Sequence, residues 1–282
     1  MKKPQRIKCK LCNNDGLVVS FSNYGARITS IKYKGKEIAR NGFISGRCAN
    51  RIENATFTLN GKEYQLDRNE GNNHLHGGSN GFAKKTWELK AKTDKSISFF
   101  LHSPDGEMGY PGNLDITVTY TLSDKNELVV EYHATTDKDT ILNPINHLYI
   151  ANPNGGSKLF IDADSYTEKG KNRIPTGHIV SVNDTQYDFR NKNKLIANDS
   201  YDVNYVLNGE GFRKVATLIN GNLIMDLFTD RPGLQLYQTN KYICLEAQMF
   251  PDAVHHPNFS SVIIKKDAAF YSKTAYCFNY YK

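Results

Sequence analysis

Two short motifs in the first third of the chain are Gly46-Arg47-Cys48-Ala49-Asn50-Arg51-Ile52 and Leu75-His76-Gly77-Gly78. Residues 57–66 lie between them, and apolar and polar side chains alternate there on both sides of an Asn-Gly pair. This pattern predicts a β-hairpin with a tight turn, because Asn and Gly tolerate the positive φ angles that such turns need. A short β connection therefore joins the segments that contain Arg51 and His76. The guanidinium of Arg51 and the imidazole of His76 could then face one cavity.

Alternation of this kind recurs along the chain and predicts strands. The clearest case is residues 115–122 and 128–134, and residues 223–228 and 234–237 predict a further hairpin around an Asp-Arg-Pro-Gly turn. Aromatic residues make up 11% of the 282 residues, which favours strands and, in a binding cleft, platforms for sugar rings. Since no segment keeps a helical period, we expect an all-β protein. Such a chain can form one domain at this length, so the sequence predicts a single antiparallel β-sandwich over residues 1–282.

Charge and hydropathy indicate where the protein works. The formal net charge of +7 comes from basic residues spread along the chain, which predicts a basic solvated surface and no nucleic-acid partner. Residues 1–10 are Lys-rich but lack the apolar core of a signal peptide. No window approaches the ~20 apolar residues of a membrane span. We therefore expect a cytoplasmic protein without a membrane partner, and the sequence leaves open whether it is a monomer or a homodimer.

The cysteine pattern and the Gly-rich segment predict no metal or cofactor. Five cysteines without a secretory signal argue against a disulfide framework. Cys9 and Cys12 form a C-x-x-C, but no second pair follows at zinc-site spacing, so we interpret them as two thiols near an N-terminal strand. Residues 77–82 are Gly-rich, which permits close backbone approach to a ligand. They lack the Lys-Ser/Thr of a phosphate-binding loop.

Three later segments place polar residues in apolar surroundings. They are Asn-Pro-Ile-Asn-His at 143–147, Tyr-Asp-Val-Asn-Tyr-Val at 201–206 and Cys-Leu-Glu-Ala-Gln-Met-Phe-Pro at 244–251. In the last, Glu246 shares a strand face with Gln248, since side chains alternate along a strand. A carboxylate among apolar neighbours is costly unless it is paired or used. On composition alone, His147 would be a structural histidine and Asp202 a turn carboxylate.

Taken together and in order, the segments from about residue 15 to the C-terminus resemble the aldose 1-epimerase (galactose mutarotase) family. The resemblance implies the galactose mutarotase-like supersandwich, an aldohexose substrate such as galactose or glucose, isomerase activity and no cofactor. It implies that Glu246 is the general base and His147 the general acid. It also implies the sugar-contacting residues Arg51, His76 and Asp202, with Gln235 in an orienting role.

The chain departs from the family pattern in two places. Ile150-Ala151 replaces part of an aromatic Phe-Asn-Leu run, which predicts different packing after His147, and Val203 replaces a frequent His, which leaves the sugar preference open. Two alternative functions remain. One is an epimerase for a modified sugar such as a hexose 6-phosphate, which the +7 charge fits. The other is a non-catalytic sugar-binding module, against which the retained Glu246 and His147 count. A glycosidase fits less well, because it needs two carboxylates flanking the bond.

Interconverting anomers requires one base and one acid. The base removes the proton of the C1 hydroxyl while the acid protonates the ring oxygen, and the C1–O5 bond breaks to give the open aldehyde. Rotation about C1–C2 and reclosure give the other anomer with the two roles reversed. Both groups should therefore have a pKa near the working pH. An imidazole has an unperturbed pKa of about 6.5, and burial on an apolar strand would raise the pKa of Glu246 towards that range.

Overall fold

The computed structural model describes residues 5–152, 156–191, 194–196 and 201–280, so the first four residues of the Lys-rich segment 1–10 lie outside it. The strands, in chain order, are β1 (Lys8–Cys12), β2 (Leu17–Ser22), β3 (Arg27–Tyr33), β4 (Lys36–Ser45), β5 (Arg51–Ile52), β6 (Thr56–Leu59), β7 (Lys62–Gln65), β8 (His74–Leu75), β9 (Glu88–Lys92), β10 (Ser96–Ser103), β11 (Leu114–Leu122), β12 (Glu127–Thr136), β13 (Thr140–Ile141), β14 (Ile145–Ala151), β15 (Lys158–Ile161), β16 (Ser165–Lys169), β17 (Pro175–Ser181), β18 (Asp202–Val206), β19 (Arg213–Asn220), β20 (Leu223–Thr229), β21 (Gly233–Gln238), β22 (Tyr242–Gln248), β23 (Ile263–Ile264) and β24 (Phe270–Tyr280). Five 3-10 helices of three residues each are Glu53–Ala55, Phe82–Lys84, Glu107–Gly109, Lys171–Arg173 and Ala253–His255.

Two large antiparallel sheets form the body of the protein. One has ten strands in the order β1-β2-β3-β4-β14-β22-β21-β18-β16-β17, and the other has eight in the order β15-β19-β20-β24-β12-β11-β10-β9. One apolar cluster contains Leu148 and Leu245 from the first sheet together with Val118 and Leu128 from the second. The sheets therefore pack face to face, which confirms the predicted all-β sandwich. In the ranges described above there is no α-helix, and no helix there is long and apolar enough to cross a membrane.

Two of the predicted hairpins are confirmed. β6 pairs with β7 from Thr56 opposite Gln65 to Leu59 opposite Lys62, and the turn residues Asn60 and Gly61 have φ angles of 52° and 75°. Two consecutive positive φ angles match the twist of the flanking strands, which explains the Asn-Gly pair. β11 also pairs with β12, from Leu114 opposite Thr136 to Leu122 opposite Leu128.

The predicted hairpin of β20 and β21 is wrong. β20 pairs with β19 and β24 in the eight-stranded sheet, whereas β21 pairs with β18 and β22 in the ten-stranded sheet. The turn between them crosses from one sheet to the other, and Arg231 is buried there and donates from Nη2 to the carbonyl oxygen of Pro144. The alternation of apolar and polar residues indicates which side chains of a strand are buried, but it does not indicate which strand is the pairing partner.

The β6–β7 hairpin is closed at its base by a second pair of strands. β5 pairs with β8, with Arg51 opposite Leu75, so the segments containing Arg51 and His76 lie side by side. Gly77 has a φ of +86°, and a Cβ there would lie 1.6 Å from the carbonyl oxygen of Gly46. This glycine is therefore required by the approach of two protein backbones, whereas the close approach of residues 77–82 to a ligand stays a prediction.

Four neighbouring strands of the ten-stranded sheet, β14, β22, β21 and β18, turn one set of side chains to the core. The core-facing members include Leu148, Leu245, Leu236 and Val203. The residues that alternate with them project from the opposite face of the sheet. Val203 is thus a core residue, and its replacement of a family His lies on the face that points away from Asp202.

Candidate active site

The outer face of the ten-stranded sheet carries a row of polar side chains across adjacent strands. The strand register sets Asn204 of β18 opposite Gln235 of β21, and Gln235 opposite Glu246 of β22. His147 of β14 is opposite Phe43 of β4. Because β22 and β14 are neighbours, these side chains lie next to one another although the chain separates them widely.

A cavity of about 300 Å³ lies over this row, a volume at the lower end of the roughly 300–1,000 Å³ typical of small-molecule sites. All six residues predicted for the site lie in its wall: Arg51, His76, His147, Asp202, Gln235 and Glu246. The other lining residues are Phe43, Asn50, Glu70, Leu75, Tyr149, Arg173 and Tyr237.

Glu246 and His147 form a buried pair at the bottom of the cavity. Nε2 of His147 lies 3.3 Å from Oε1 of Glu246, and the two residues are 6% and 2% exposed. Burial, followed by the charge of Asp202, raises the pKa of Glu246 to about 8. Burial lowers the pKa of His147 to about 4. At neutral pH the pair therefore holds one proton on the carboxyl group and is uncharged, and the pKa of His147 lies below the unperturbed imidazole value.

Aromatic rings explain why His147 is so poorly hydrated. Its imidazole stacks on Phe43 and on Tyr149 with ring centroids 5.0 and 4.8 Å away. Tyr237 and His76 approach edge-on at 6.0 and 5.5 Å. These contacts replace water, which disfavours the charged imidazolium.

The carboxyl group of Glu246 has unused hydrogen-bonding capacity. No hydrogen bond to it occurs within residues 5–152, 156–191, 194–196 and 201–280, although the side chain is buried. Buried polar groups are normally hydrogen-bonded, and exceptions call for an explanation. Here the carboxyl group lines the cavity, so a hydroxyl group of a bound ligand can supply the missing partner.

His76 is held in one tautomer by the main chain. The N–H of Asn50 donates to Nδ1 of His76 at 3.2 Å, and the N–H of His76 donates to the carbonyl oxygen of Asn50 at 3.0 Å. Because Nδ1 accepts, the proton of the neutral ring is on Nε2. Burial first, and then the neighbouring His147 and Arg51, lower the pKa of His76 to about 3. His76 is therefore a neutral hydrogen-bond donor at physiological pH.

Glu70 fixes the guanidinium of Arg51. Nε and Nη2 of Arg51 each donate to a carboxylate oxygen of Glu70 at 2.6 Å. Such a two-point contact sets the plane of the guanidinium. Nη1 has no hydrogen-bond partner in the described part of the chain, which leaves it for a ligand.

A chain of amide groups orients Asp202. Nε2 of Gln235 donates to Oδ1 of Asp202 at 2.7 Å. Oε1 of Gln235 accepts from Asn50 and from Gln248, both at 3.2 Å. The two donors fix which end of the Gln235 amide is oxygen, so its NH2 group faces the carboxylate.

Several residues of the cavity wall were not predicted from the sequence. Tyr149 and Tyr237 lie two positions after His147 and Gln235, so strand alternation could have found both. Glu70 comes from a loop and Arg173 from the 3-10 helix Lys171–Arg173, and no periodic signal in the sequence predicts the position of either. Of the segment after His147, only Tyr149 lines the cavity.

One cluster in the described ranges resembles a metal-ligand set. The ligand atoms of His147, Cys244 and Glu246 lie within 4.8 Å of one another. Metal ligands must be deprotonated, but burial raises the pKa of the Cys244 thiol well above its usual range, and Glu246 also holds its proton at neutral pH. The cluster is therefore poorly suited to a cation. Cys9 is half-buried and Cys12 is exposed on strand β1.

Comparisons with known proteins agree along the whole chain. The sequence model of the aldose 1-epimerase family matches residues 8–277. Galactose mutarotase from Bos taurus is 33% identical over 89% of this chain and 88% of its own length. The aldose 1-epimerase of Haemophilus influenzae is 32% identical over 95% and 94%. A crystal structure of an aldose epimerase homologue from C. elegans matches with a TM-score of 0.92 at 25% identity, covering 99% of this chain and 100% of that one.

Proposed function

Because this chain belongs to the aldose 1-epimerase family, we propose that Glu246 and His147 carry out the proton transfers of its reaction. The protein is an aldose 1-epimerase, an isomerase that interconverts the α and β anomers of aldoses. The observation that supports the two roles is the 3.3 Å approach of Nε2 of His147 to Oε1 of Glu246 in the cavity wall. Adjacent titratable groups with pKa values pushed apart are typical of acid–base catalysis.

Substrate binding prepares the pair for ring opening. The C1 hydroxyl of the sugar donates a hydrogen bond to Glu246, which favours the ionised carboxylate. The proton of Glu246 then passes to Nε2 of His147, 3.3 Å away. Glu246 removes the proton of the C1 hydroxyl while the imidazolium of His147 protonates the ring oxygen. The C1–O5 bond breaks, and the aldehyde forms.

Ring closure uses the same groups in reverse. After rotation about C1–C2, His147 removes the proton of the O5 hydroxyl as O5 attacks C1. Glu246 returns its proton to the new C1 oxygen. No oxidation state changes in either step, so the reaction requires no redox cofactor.

The remaining predicted residues bind and orient the sugar. Asp202 accepts hydrogen bonds from sugar hydroxyls, and Arg51 and His76 donate to sugar oxygens. Gln235 holds Asp202 in position through its 2.7 Å hydrogen bond. Neither an epimerase for phosphorylated sugars nor a non-catalytic module is favoured, because the named relatives are galactose mutarotases and aldose 1-epimerases. Galactose and glucose are the first substrates to test.

We further propose that the chain is one domain and acts in the cytoplasm as a monomer or homodimer. One apolar cluster that joins both large sheets supports the single domain. The five cysteines, all within the described residues, are free, as is usual in a reducing compartment, and this motivates the cytoplasm. Light scattering and a cell-fractionation assay would test these proposals.

The test of the catalytic roles uses two conservative variants and their combination. Glu246→Gln keeps the shape of the side chain but removes the base, and His147→Asn removes the titratable ring. Each should lower the rate about 10²–10⁴-fold. The double variant should be little slower than the worse single variant, because both groups act in one step. The measurement is polarimetry on freshly dissolved α-galactose, corrected for spontaneous mutarotation.

The exposed pair Glu168 and His178 provides a matched control. Nδ1 of His178 lies 3.1 Å from Oε2 of Glu168, and their side chains are 77% and 44% exposed. Glu168→Gln and His178→Asn should leave the rate unchanged, since neither residue lines the cavity. Folded Glu246 and His147 variants with near-wild-type rates would contradict the assignment, and His76 would then be the first residue to examine.

A further inference from the structure

The hairpin of β16 and β17 places a positively charged side chain, that of Arg173, at the active-site cavity. Arg173 lies in the turn of this hairpin and lines the catalytic cavity. It also lines a neighbouring cavity of about 490 Å³ that shares Asp202 and Tyr237 with the first. The side chain of Arg173 is 59% exposed, so its guanidinium is accessible to a ligand in either cavity.

The backbone at this turn is strained and firmly held. Asn172 and Arg173 have φ angles of 55° and 62°, and two consecutive left-handed residues other than Gly are disfavoured by their Cβ atoms. Ile174 is buried on one side of the turn, and Gly170 donates to its carbonyl oxygen at 2.7 Å. Strain of this kind persists where the surrounding structure enforces it, often beside a functional site. The turn therefore presents Arg173 in a fixed place.

Arg173 faces the carboxylate oxygen of Asp202 that Gln235 leaves unused. Nη1 of Arg173 lies 3.6 Å from Oδ2 of Asp202, which is too long for a hydrogen bond. Nζ of Lys169 lies 3.8 Å from the same oxygen, but it donates to the main-chain carbonyl of Asp202 at 2.7 Å. The side chain of Arg173 makes no hydrogen bond to any residue that the structure describes. Both Arg173 and Oδ2 therefore keep hydrogen-bonding capacity on the cavity side.

We propose that Arg173 is a substrate-binding residue whose guanidinium donates a hydrogen bond to the same sugar hydroxyl that donates a hydrogen bond to Oδ2 of Asp202. A hydroxyl group can donate one hydrogen bond and accept two. An oxygen about 2.7 Å from a carboxylate and about 2.9 Å from a guanidinium nitrogen fits between two atoms that are 3.6 Å apart. The inference rests on the proposed role of Asp202 as a sugar ligand.

This arrangement makes the bound hydroxyl a point of discrimination. An aldose that lacks it, or carries it in the opposite configuration, loses the hydrogen bonds to both Asp202 and Arg173. Sites built to hydrogen-bond a hydroxyl discriminate strongly against analogues without it. Arg173 would thus contribute to sugar specificity without taking part in proton transfer.

The experiment pairs enzyme variants with deoxy sugars. The Michaelis constant and kcat are measured for the wild type, Arg173→Met and Asp202→Asn on galactose and on its 2-, 3-, 4- and 6-deoxy derivatives. On galactose, Arg173→Met should raise KM about five- to tenfold, the lower end for a charged hydrogen bond because the side chain is largely exposed, and should leave kcat nearly unchanged. The effect of Arg173→Met should vanish on the same deoxy sugar on which the effect of Asp202→Asn vanishes.

Two further variants separate binding from structure. Lys171→Met changes an exposed cation in the same turn that lines none of the cavities described above, so its KM should match that of the wild type. Arg173→Lys keeps the charge but loses the planar fork, and its KM should fall between those of the wild type and Arg173→Met. Thermal unfolding of all variants checks that the fold is intact.

The possible failures are distinguishable. If Asp202→Asn raises KM and Arg173→Met does not, the inference is wrong and the proposed site stands. If the two variants lose their effects on different deoxy sugars, Arg173 binds elsewhere and the shared hydroxyl is refuted. If Arg173→Met lowers kcat equally on every sugar together with the melting temperature, its role is structural. If Asp202→Asn has no effect on KM, the proposed sugar-binding role of Asp202 fails first.

Discussion

Replacing Glu246 by Gln should remove the alkaline limb from the pH profile of mutarotation. If Glu246 and His147 carry out the proposed proton transfers, the reactive form of the pair holds one proton. Above the pKa of Glu246, about 8, the pair loses that proton and cannot protonate the ring oxygen. Below the pKa of His147, about 4, both groups are protonated and no base remains. In the wild type, kcat/KM should therefore be flat between these values and fall about tenfold per pH unit outside them.

Glu246→Gln should lower the plateau about 10²–10⁴-fold and change the shape of the profile. The residual rate then depends on His147 alone, which acts as a base once it is neutral. Its rate should rise with pH through about 4, the pKa of His147, and stay level beyond pH 8. The assay is polarimetry on α-galactose from pH 3 to 9, with the spontaneous rate measured in each buffer and subtracted. Circular dichroism at each pH confirms that both proteins stay folded.

Two results would refute this reasoning. A wild-type rate that changes tenfold per unit between pH 5 and 7 would indicate a titration inside the expected plateau. An alkaline limb that persists near pH 8 in Glu246→Gln would belong to another group. The exposed Glu168→Gln variant should keep the wild-type profile, because that carboxylate lies outside the cavity.

Four other predictions follow from the same contacts. Asp202→Ala should raise KM more than it lowers kcat, since one charged hydrogen bond contributes about 1.5–3 kcal/mol; steady-state kinetics that show constant KM and a collapsed kcat would move Asp202 into the proton-transfer machinery. Because folding raises the pKa of Glu246 to about 8, its contribution to stability is complete below about pH 4.5 and lost as the pH rises to 8. Urea unfolding should therefore show the wild type losing a few kcal/mol from pH 5 to 8 relative to Glu246→Gln, and parallel pH curves would contradict this. Arg47 is 1% exposed and donates to four main-chain carbonyls, those of residues 103, 104, 111 and 112. Arg47→Met should cost about 3–5 kcal/mol in unfolding free energy, which an unchanged melting temperature would disprove. Activity should survive EDTA, and a loss restored by a divalent ion would show a required metal.

Local pattern was sufficient to predict which residues of a strand share a face, but it did not determine which strands are neighbours. Alternation separates Glu246 from Leu245 and so predicts that one faces the core and the other does not. The contact of Glu246 with His147 depends on the pairing of β22 with β14, and the chain gives no local signal for that neighbour. The error at β20 and β21 has the same origin, because two adjacent alternating segments can belong to different sheets.

The electrostatics of the site depended even more on tertiary structure. An apolar strand predicted the raised pKa of Glu246. The lowered pKa of His147 requires burial that Phe43 from β4 helps to provide, and that ring is about a hundred residues away in the sequence. Likewise, the neutral tautomer of His76 follows from a main-chain N–H at Asn50, which no side-chain motif reveals.

The single proton of the Glu246–His147 pair also fits the proposed mechanism, in which ring opening and ring closure use the same two proton transfers in reverse. In the resting protein the proton is on Glu246 and His147 is neutral, which is the protonation state that ring opening produces. The open-chain aldehyde therefore meets the pair in its most stable form, whichever anomer entered. Closure from either face then needs the same two transfers, and no proton has to come from solvent. A cavity that buries both groups lowers the stability of their ionised forms, and a proton exchanged between them crosses only the 3.3 Å from Oε1 of Glu246 to Nε2 of His147.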